Sequence, residues 1–413
     1  MKSATRAAWL AALTLTLVGA GRAHAQSDAF SLDAFHGLVD VTLSGGDTER
    51  SWLDGGFGKA GPGAGGLQLT QAAVEWRPRL SFGVSAVVTG LYQAQVSPKF
   101  DLGEAYLNLR APPSEFGRFS GRVGIFYPLI SQEHDGVAWT APDMLSASVL
   151  NSWVGEEVKV VGGEVGFQRG FGAGQVELTA GVFGGDDTAG TLLTFRGWAG
   201  HGIRAGVRTE FGLPPLSRFA WKFQYDGTYP IRELDNRAGY YGRIEWRPPA
   251  PVSFNAFYYD NLGDRRAVDS HLQWAWETRF ANLGVKWEVD DKTHILAQAM
   301  NGETLMGYVM PGGIWFDMGF QSAYIQAAHK VGEDTVTGRL EGFRTHDRTF
   351  VAIDNNNEHG WALTGAWRHR LARHADLIFE AQHIASDRPA RVLAGDSPKQ
   401  GETLLQTALR LSF

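Results

Sequence analysis

Several stretches of the chain alternate regularly between apolar and polar residues. In the stretch 405–413 the odd positions carry Leu, Thr, Leu, Leu and Phe, whereas the even positions carry Gln, Ala, Arg and Ser. The same alternation recurs in the stretches 103–110, 238–246, 281–288 and 376–382. A period of two places successive side chains on opposite faces, which predicts β-strands with one apolar and one polar face.

Short and long connections between these strands alternate along the chain. The short ones are rich in proline, glycine or charge, as expected of turns: Arg77–Arg79, Ala111–Arg118, Arg169–Ala173, Leu213–Ser217, Arg247–Pro251, Asp290–Thr293, Val331–Asp334 and Leu371–His374. The long ones are Gly45–Gly66, Gln93–Phe100, Pro128–Ser152, Gly184–Gly200, Asp226–Asn236, Asn261–His271, Asn301–Gly313, Thr345–Asn357 and Ser386–Glu402. This count predicts about 18 strands, or about 16 if one short hairpin does not form.

A soluble β-sandwich would show the same alternation, with its polar face outside. Two further features favour an all-β, transmembrane antiparallel β-barrel instead. Turns are short at one end and long at the other, which is typical of such barrels. Aromatic residues lie at the ends of predicted strands, where a barrel places its interfacial girdles: Trp76, Tyr92, Trp246, Tyr258, Trp287 and Phe413. A barrel of about 16–18 strands is wide enough to leave an aqueous lumen.

The first 25 residues read as a secretory signal peptide. Lys2 and Arg6 precede the uncharged apolar run Ala7–Gly21, and the small residues Ala23 and Ala25 predict cleavage near Ala25. The apolar run is too short for a membrane-spanning helix, which needs about 20 residues. We therefore expect two segments, the signal peptide 1–25 and a single β-barrel domain 26–413.

Composition narrows the functional classes. The chain has no cysteine, which excludes a disulfide scaffold, a cysteine-ligated metal and a thiol nucleophile. Its net charge is −6, and removal of three basic residues with the signal peptide makes the mature charge −9. An acidic chain argues against nucleic acid as a partner. We expect no cofactor and no metal site.

The long connection Pro128–Ser152 is unusually apolar for an exposed loop. It carries Val137, Trp139, Met144, Leu145, Val149 and Leu150. Such a loop exposed to water would promote aggregation. The sequence therefore predicts that this loop, after the fifth strand, folds inward against the wall of the lumen and narrows it.

The segment that leads into this loop resembles the Gram-negative outer-membrane porin superfamily, and most closely its phosphate-selective-porin-like branch. In that branch an R-V-G-x-F-x-x-P strand end followed by S-x-E opens a third loop that folds into the pore. The matching residues are Arg122, Val123, Gly124, Phe126, Ser131 and Glu133, with Pro128 displaced by one position. The match covers Glu104–Glu157, and the terminal Phe413 resembles the assembly signal of such barrels.

The resemblance implies a porin-like channel of the outer membrane for passive diffusion of small hydrophilic solutes or ions. It also implies contact with outer-membrane lipid and assembly as a homotrimer. Phosphate selectivity in that branch accompanies lysine-rich pore walls, whereas the mature chain is acidic. The alternative is a closed structural or adhesive barrel, or an enzyme embedded in a barrel.

Charged residues on the polar faces of the strands and at the start of the apolar loop are the candidate pore-lining and constriction residues, because wall charge biases ion passage. They are Arg110, Arg122, Glu133, Asp135, Arg243, Glu245, Lys286 and Glu288. Each could instead form a salt bridge in the wall. Ser131 and His134 are close in sequence, but a nucleophile and its base are recognised by geometry, so we predict no catalytic residue and no enzyme activity.

Overall fold

The computed structural model describes residues 29–61 and 65–413. The predicted signal peptide, residues 1–25, lies outside the described residues, and its cleavage stays a prediction.

Sixteen long antiparallel strands form the wall of a barrel. They are β1 (Phe35–Asp47), β2 (Gly66–Trp76), β3 (Val84–Gln93), β4 (Phe100–Arg110), β5 (Arg118–Phe126), β6 (Val160–Phe171), β7 (Gly174–Gly184), β8 (Gly239–Arg247), β9 (Val252–Asp260), β10 (Glu277–Glu288), β11 (Thr293–Met310), β12 (Gly313–Val331), β13 (Asp334–Asp347), β14 (Glu358–Ala372), β15 (Ala375–Asp387) and β16 (Lys399–Ser412). One further strand of three residues, Arg79–Ser81, lies in the turn between β2 and β3.

The first and last strands close the barrel. In the β1–β16 ladder, Leu38 is opposite Ser412 and Asp47 is opposite Thr403. Each remaining strand pairs with its neighbours in the chain, and β7 pairs with β8. Within the described residues, closure leaves no unpaired edge, which is the condition for a sheet to cross a membrane. The predicted fold class is thereby confirmed.

The barrel has the smaller of the two predicted strand numbers. The proposed turn Leu213–Ser217 is wrong, because it lies within the long connection 185–238, which we call the mouth segment. This segment contains α2 (Thr191–Phe195), the 3-10 turn Ala220–Lys222 and a two-residue ladder of Phe211–Gly212 with Gly227–Thr228. Its apolar residues are buried inside the mouth of the barrel rather than on a wall strand.

One predicted long loop is also wrong. The stretch Asn301–Gly313 is mostly strand, because β11 continues to Met310 and β12 begins at Gly313. The remaining seven predicted turns each fall between consecutive strands.

Alternation of burial shows which face of each strand points inward. On β13, Arg339, Glu341 and Phe343 are buried, whereas Leu340 and Gly342 between them are exposed. The outward face is apolar over most of its height and the inward face carries the polar residues. This is the arrangement expected of a barrel surrounded by lipid.

The hydrophobic core lies inside the barrel. It forms around α1 (Val149–Glu157), a helix in the connection between β5 and β6 whose nine residues are all buried. Trp153 is at its centre, with ring centroids 5.1 Å from Phe320 and 5.5 Å from Phe280 on the wall. The predicted inward folding of the loop after the fifth strand is confirmed.

No helix among the described residues is long and apolar enough to cross a membrane.

Candidate pore constriction

The connection 127–159, which includes α1 and which we call the pore loop, is held by side chains from seven wall strands. The contacts are Glu75 (β2) to the Ala138 amide, Glu104 (β4) to the Tyr127 amide, Gln298 (β11) to the Gln132 amide, Arg339 and Glu341 (β13) to loop backbone, Arg368 (β14) to the Pro142 carbonyl, Glu380 (β15) to the Leu145 amide and Arg410 (β16) to the Ala141 carbonyl. Because these strands surround the lumen, the loop crosses it rather than following one side.

Arg339 on β13 is the most heavily bonded of these side chains. Its guanidinium is fully buried and lies 2.8 Å from Glu341 Oε1 and 3.2 Å from Glu133 Oε2. It also donates to the carbonyl oxygens of Ser146 at 3.0 Å and Ala147 at 2.9 Å. A buried guanidinium is stable only when its donors are satisfied. Arg339 therefore fixes the loop to the wall just before α1.

Two carboxylates accept hydrogen bonds from backbone amides at the amino terminus of α1. Ser148 is the capping residue, and its hydroxyl accepts a hydrogen bond from the Asn151 amide at 3.2 Å. Glu341 accepts from the Val149 amide at 2.7 Å, and Glu133 accepts from the Ser148 amide at 2.9 Å. Negative charge is favourable there because the first amides of a helix are unpaired and point outward. One carboxylate comes from the wall and the other from the loop.

At the other end of α1, Glu157 links the helix to the mouth segment. It accepts hydrogen bonds from the Leu192 amide at 2.8 Å and from the Trp153 indole at 2.8 Å. Burial raises the pKa of Glu157 to about 7. Glu156 pairs with Arg196 of the mouth segment, so both acids at the end of α1 bond to that segment.

A cluster of buried polar side chains contacts α1 at Asn151. Gln298 on β11 accepts hydrogen bonds from Asn151 at 2.8 Å and from the Tyr324 hydroxyl at 2.8 Å, and it donates to the Ile130 carbonyl at 2.9 Å. All of these groups are buried. The amide of Gln298 thus joins two wall strands to both arms of the pore loop.

The structure places three predicted pore residues in salt bridges of the wall. Arg122 on β5 donates to Glu164 on β6 at 2.6 Å, and its guanidinium lies 4.4 Å from the centroid of the Phe126 ring. Arg243 and Glu245 both face inward on β8 and pair with each other. Arg110 is exposed at the turn end of β4.

Three other predicted residues lie close together on the short-turn side of the pore loop. Lys286 on β10 lies 3.8 Å from Asp135 of the loop and 3.7 Å from Glu288. The side chain of Lys286 is 39% exposed, that of Asp135 is 64% exposed and that of Glu288 is 52% exposed, so solvent reaches all three. Glu133, by contrast, is buried between the loop and Arg339. Its pore-lining role, like that of the other seven residues, stays a prediction.

Four residues that anchor the loop were missed: Glu75, Gln298, Arg339 and Glu341. Alternation does place Glu380 and Arg410 on inward faces, but it does not indicate their contacts with the loop. A signal existed on β13, where Thr335, Thr337, Arg339 and Glu341 share one face of a readable strand. A paired Arg and Glu two positions apart on an inward face indicates a wall charge. It does not indicate which loop atoms the charge contacts, because those are distant in sequence.

The structure brings Ser131 and His134 together. The hydroxyl of Ser131 lies 2.8 Å from His134 Nδ1 and also accepts from the Glu133 amide at 3.1 Å. The His134 ring stacks on Trp139 at 3.6 Å, and burial lowers the pKa of His134 well below its usual value. In the part of the chain that the structure describes, no carboxylate lies within 4 Å of the His134 nitrogens. The pair lacks the third group that orients a catalytic histidine.

A group of carboxylates lies in the mouth segment. Oxygen atoms of Asp187, Glu233 and Asp235 all lie within 4.8 Å of one another. Asp187 Oδ2 already accepts hydrogen bonds from the Leu234 amide and, at 3.1 Å, from the Asp235 amide. Burial raises the pKa of Asp187 to about 7, with Glu233 and Asp235 adding to the rise.

No family model matches the sequence, and no curated protein matches it. Solved structures do match. The outer-membrane channel DcaP of Acinetobacter baumannii aligns over 92% of this chain and 96% of its own, with 11% identity and a TM-score of 0.55. The chain shares the fold of this outer-membrane barrel.

Two further structures agree. The anion-selective porin of Comamonas acidovorans aligns over 92% of this chain and 98% of its own, with 12% identity and a TM-score of 0.50. OmpT, an outer membrane protein of Vibrio cholerae, aligns over 94% and 100%, with 9% identity and a TM-score of 0.50. At this identity the likeness concerns the fold. The phosphate-selective branch stays a prediction.

Proposed function

We propose that this chain is a porin-like outer-membrane channel for passive diffusion of small hydrophilic solutes or ions. The observation that carries the proposal is a pore loop held across the lumen of a 16-strand barrel by inward wall charges. A barrel of this size is wider than its own side chains can fill. A loop that fills part of the lumen sets the width of the remaining passage. That width limits the size of the solutes that can cross.

The exposed charges below the loop form the entrance on the short-turn side. Lys286 lies within 4 Å of both Asp135 and Glu288, which gives the entrance one positive and two negative groups. Such a mixed entrance is wetted and attracts small polar solutes without holding one tightly. The mature charge of −9 favours cations over anions.

Location and assembly belong to the same proposal. Export by the signal peptide, cleavage near Ala25 and insertion into the outer membrane would place the long loops outside the cell. A homotrimer is the assembly that the porin resemblance implies. Cross-linking of the refolded protein in detergent tests it, with a trimer as the expected species and a monomer at all cross-linker concentrations as the contrary result.

Single-channel recording tests the channel. Refolded protein is added to a planar bilayer under a gradient of potassium chloride. We expect small stepwise openings. The sign of the reversal potential should indicate that cations pass more readily than anions. Lys286→Glu, which makes the entrance wholly acidic, should increase that preference, whereas Arg266→Glu on an exposed outer loop should not. Silence from barrels that show heat-modifiable migration would overturn the proposal.

A closed structural barrel is the second candidate, and a specific observation favours it. All nine residues of α1 are buried, and the mouth segment packs above the helix through Glu156 and Glu157. If this packing is permanent, the lumen does not conduct. The same recordings distinguish the two functions, because a permanently closed barrel stays silent while a channel opens at least transiently.

A further inference from the structure

A small cavity lies between two long connections at the end of the barrel opposite the short turns. One connection is the mouth segment, and the other is the stretch 261–276 between β9 and β10. The cavity, which we call the loop cavity, has a volume of about 170 Å³. Its lining residues all lie in these two connections and are Tyr225, Tyr229, Arg232, Asp269, His271 and Gln273. The loops form this cavity, whereas wall strands and the pore loop form the constriction.

Two parallel tyrosine rings line the loop cavity. The rings of Tyr225 and Tyr229 are inclined by 4° to each other, and their centroids are 6.4 Å apart. Both hydroxyls donate to the carboxylate of Glu210, from Tyr225 at 2.6 Å and from Tyr229 at 2.9 Å. The shared carboxylate fixes the orientation of both rings, which are half-buried. The faces of such rings carry partial negative charge and attract C–H groups.

One ion pair also lines the cavity. Arg232 Nη2 lies 3.0 Å from Asp269 Oδ2, and the guanidinium lies 5.4 Å from the centroid of the Tyr229 ring. The other carboxylate oxygen of Asp269 accepts from the backbone amides of His271 at 2.8 Å and Gln273 at 3.0 Å. An anion bound here would be repelled by Asp269, and a cation would be repelled by Arg232. The lining therefore favours an uncharged ligand.

Gln273 contributes an unused hydrogen-bond donor. This residue is 1% exposed, and its Oε1 accepts from the backbone amide of Tyr229 at 3.1 Å. That bond fixes which end of the side-chain amide is oxygen and which is nitrogen. Among the residues that the structure describes, Nε2 of Gln273 has no hydrogen-bond partner. A buried donor without a partner is unfavourable, so a ligand oxygen that accepts from Nε2 would be bound preferentially.

We propose that the loop cavity binds a single neutral sugar ring. A pyranose has C–H groups on its ring faces and hydroxyls around its edge, and this lining offers partners for both. The ring face packs on the two tyrosines, and one hydroxyl oxygen accepts from Gln273 Nε2. Neighbouring hydroxyls bond to Asp269 and Arg232. A plain aromatic ring would use the tyrosine faces but has no acceptor for Gln273.

The proposal goes beyond conduction through the lumen, because a site formed by the loops binds in an open or a closed barrel. A refolded barrel that binds sugar and stays silent in a bilayer would contradict the channel alone. A conducting barrel without sugar binding would contradict this inference alone.

Isothermal titration calorimetry of the refolded barrel, in a detergent without a sugar headgroup, tests the proposal. The probes are the methyl glycosides of glucose, galactose and mannose. The comparisons are mannitol, which has hydroxyls but no ring, and glucose 6-phosphate, which has a ring and an anionic group. We expect one site for at least one glycoside, and binding at least tenfold weaker for mannitol and glucose 6-phosphate.

Three variants separate the donor from the ring faces. Gln273→Glu keeps the oxygen that accepts from the Tyr229 amide and removes the free donor, so binding should weaken by about tenfold, the effect of one hydrogen bond. Tyr225→Ala removes a ring face and should weaken binding several-fold. Tyr225→Phe keeps the face and should bind within about twofold of wild type.

Trp221→Ala is the matched control, because Trp221 is an exposed aromatic residue of the same segment that does not line the loop cavity. Its affinity should equal that of wild type. Heat-modifiable migration shows that each variant is folded, and Tyr225→Ala tests the site at a half-buried position if Gln273→Glu does not fold.

A bound sugar ring could be a free solute or the terminal unit of a glycan outside the cell. Recordings in a planar bilayer distinguish these sources. A glycoside that reduces the current when it is added on the long-loop side is a solute on its path. A glycoside that binds and leaves the current unchanged indicates a surface site for glycan ends.

Three results would overturn the proposal. The first is that none of the three glycosides binds to the folded barrel. Equal affinity of wild type, Gln273→Glu and Tyr225→Ala would show that the sugar binds elsewhere. Mannitol that binds as tightly as the glycosides would show binding of hydroxyls without recognition of a ring.

Discussion

Arg339 shows how one inward residue can anchor the pore loop to the wall of the barrel. It joins Glu133 of the loop to Glu341 of the wall, and all three side chains are buried. Removing the cation leaves two buried carboxylates without their partner, a change that costs about 3–5 kcal/mol in comparable sites. We expect Arg339→Ala to lower the free energy of unfolding in urea by an amount of that order and to lengthen channel openings.

The control for Arg339→Ala is Arg266→Ala. Arg266 pairs with Asp264 on an exposed loop, with a side chain that is 60% exposed, and such pairs contribute about 0–1 kcal/mol. Equal unfolding midpoints for the two variants would contradict the anchoring role of Arg339. A destabilised Arg339→Ala barrel with unchanged openings would show that the anchor supports the fold but does not gate the lumen.

The roles of single residues were the least predictable part of the sequence. Lys286, Glu288 and Arg243 could be placed on inward faces because alternation alone determines the face. Glu133 was recognised as important from its place in the loop, yet its partner Arg339 is about 200 residues away in the chain. Partners of that kind depend on how the loop crosses the barrel, which periodicity does not encode.

Among the elements, the strands were predictable and the mouth segment was not. Strand alternation reflects a local requirement, lipid on one side and polar lumen on the other. The mouth segment, residues 185–238, has alternating patches as well, but Phe195 and Phe211 are buried against the wall from inside. A buried loop and a membrane strand both contain apolar residues. The mouth segment was therefore predicted to form two wall strands, which raised the predicted number from 16 to 18.

The mouth segment provides a pH-dependent prediction. Because the pKa of Asp187 is raised to about 7 by burial and neighbouring acids, its neutral form is favoured in the folded state. Stability from this site is present at low pH and is lost as pH rises from about 4, the ordinary aspartate value, through about 7. Hydrogen exchange of residues 230–236, corrected for intrinsic rates, should be slower at pH 5 than at pH 8.

Asp187→Asn is the control for that experiment, because an amide keeps the shape and cannot ionise. Its protection should hardly change between the two pH values. Faster exchange at pH 5 than at pH 8 in the wild type would contradict the assignment. A pH effect of equal size in Asp187→Asn would assign it to other groups, such as Glu233 and Asp235.

At the scale of the whole molecule, closure of the barrel depends on the contact between its two ends. The backbone amide of Gly37 donates to the carbonyl of Phe413 at 3.0 Å, and the amide of Phe413 donates to the carbonyl of Gly37 at 3.2 Å. These two bonds complete the β1–β16 ladder beyond Ser412. The Phe413 ring covers Gly37, so that a Cβ at Gly37 would lie 2.1 Å from ring carbons. Glycine is therefore required for the ring to lie against the strand.

Gly37→Ala should consequently weaken closure. The methyl group forces the ring of Phe413 away from β1, a change of the kind that costs about 1–3 kcal/mol when side chains are overpacked. Gly45 lies on the same strand, and a Cβ there meets no atom of the described residues within 4 Å, so Gly45→Ala is the matched control. Refolding into detergent, followed by heat-modifiable migration, should give less folded barrel for Gly37→Ala than for Gly45→Ala. Because a closed sheet is complete only when its last strand pairs, a defect at this one glycine should reduce the yield of the whole barrel, whereas equal yields would show that the terminal ring is dispensable for closure.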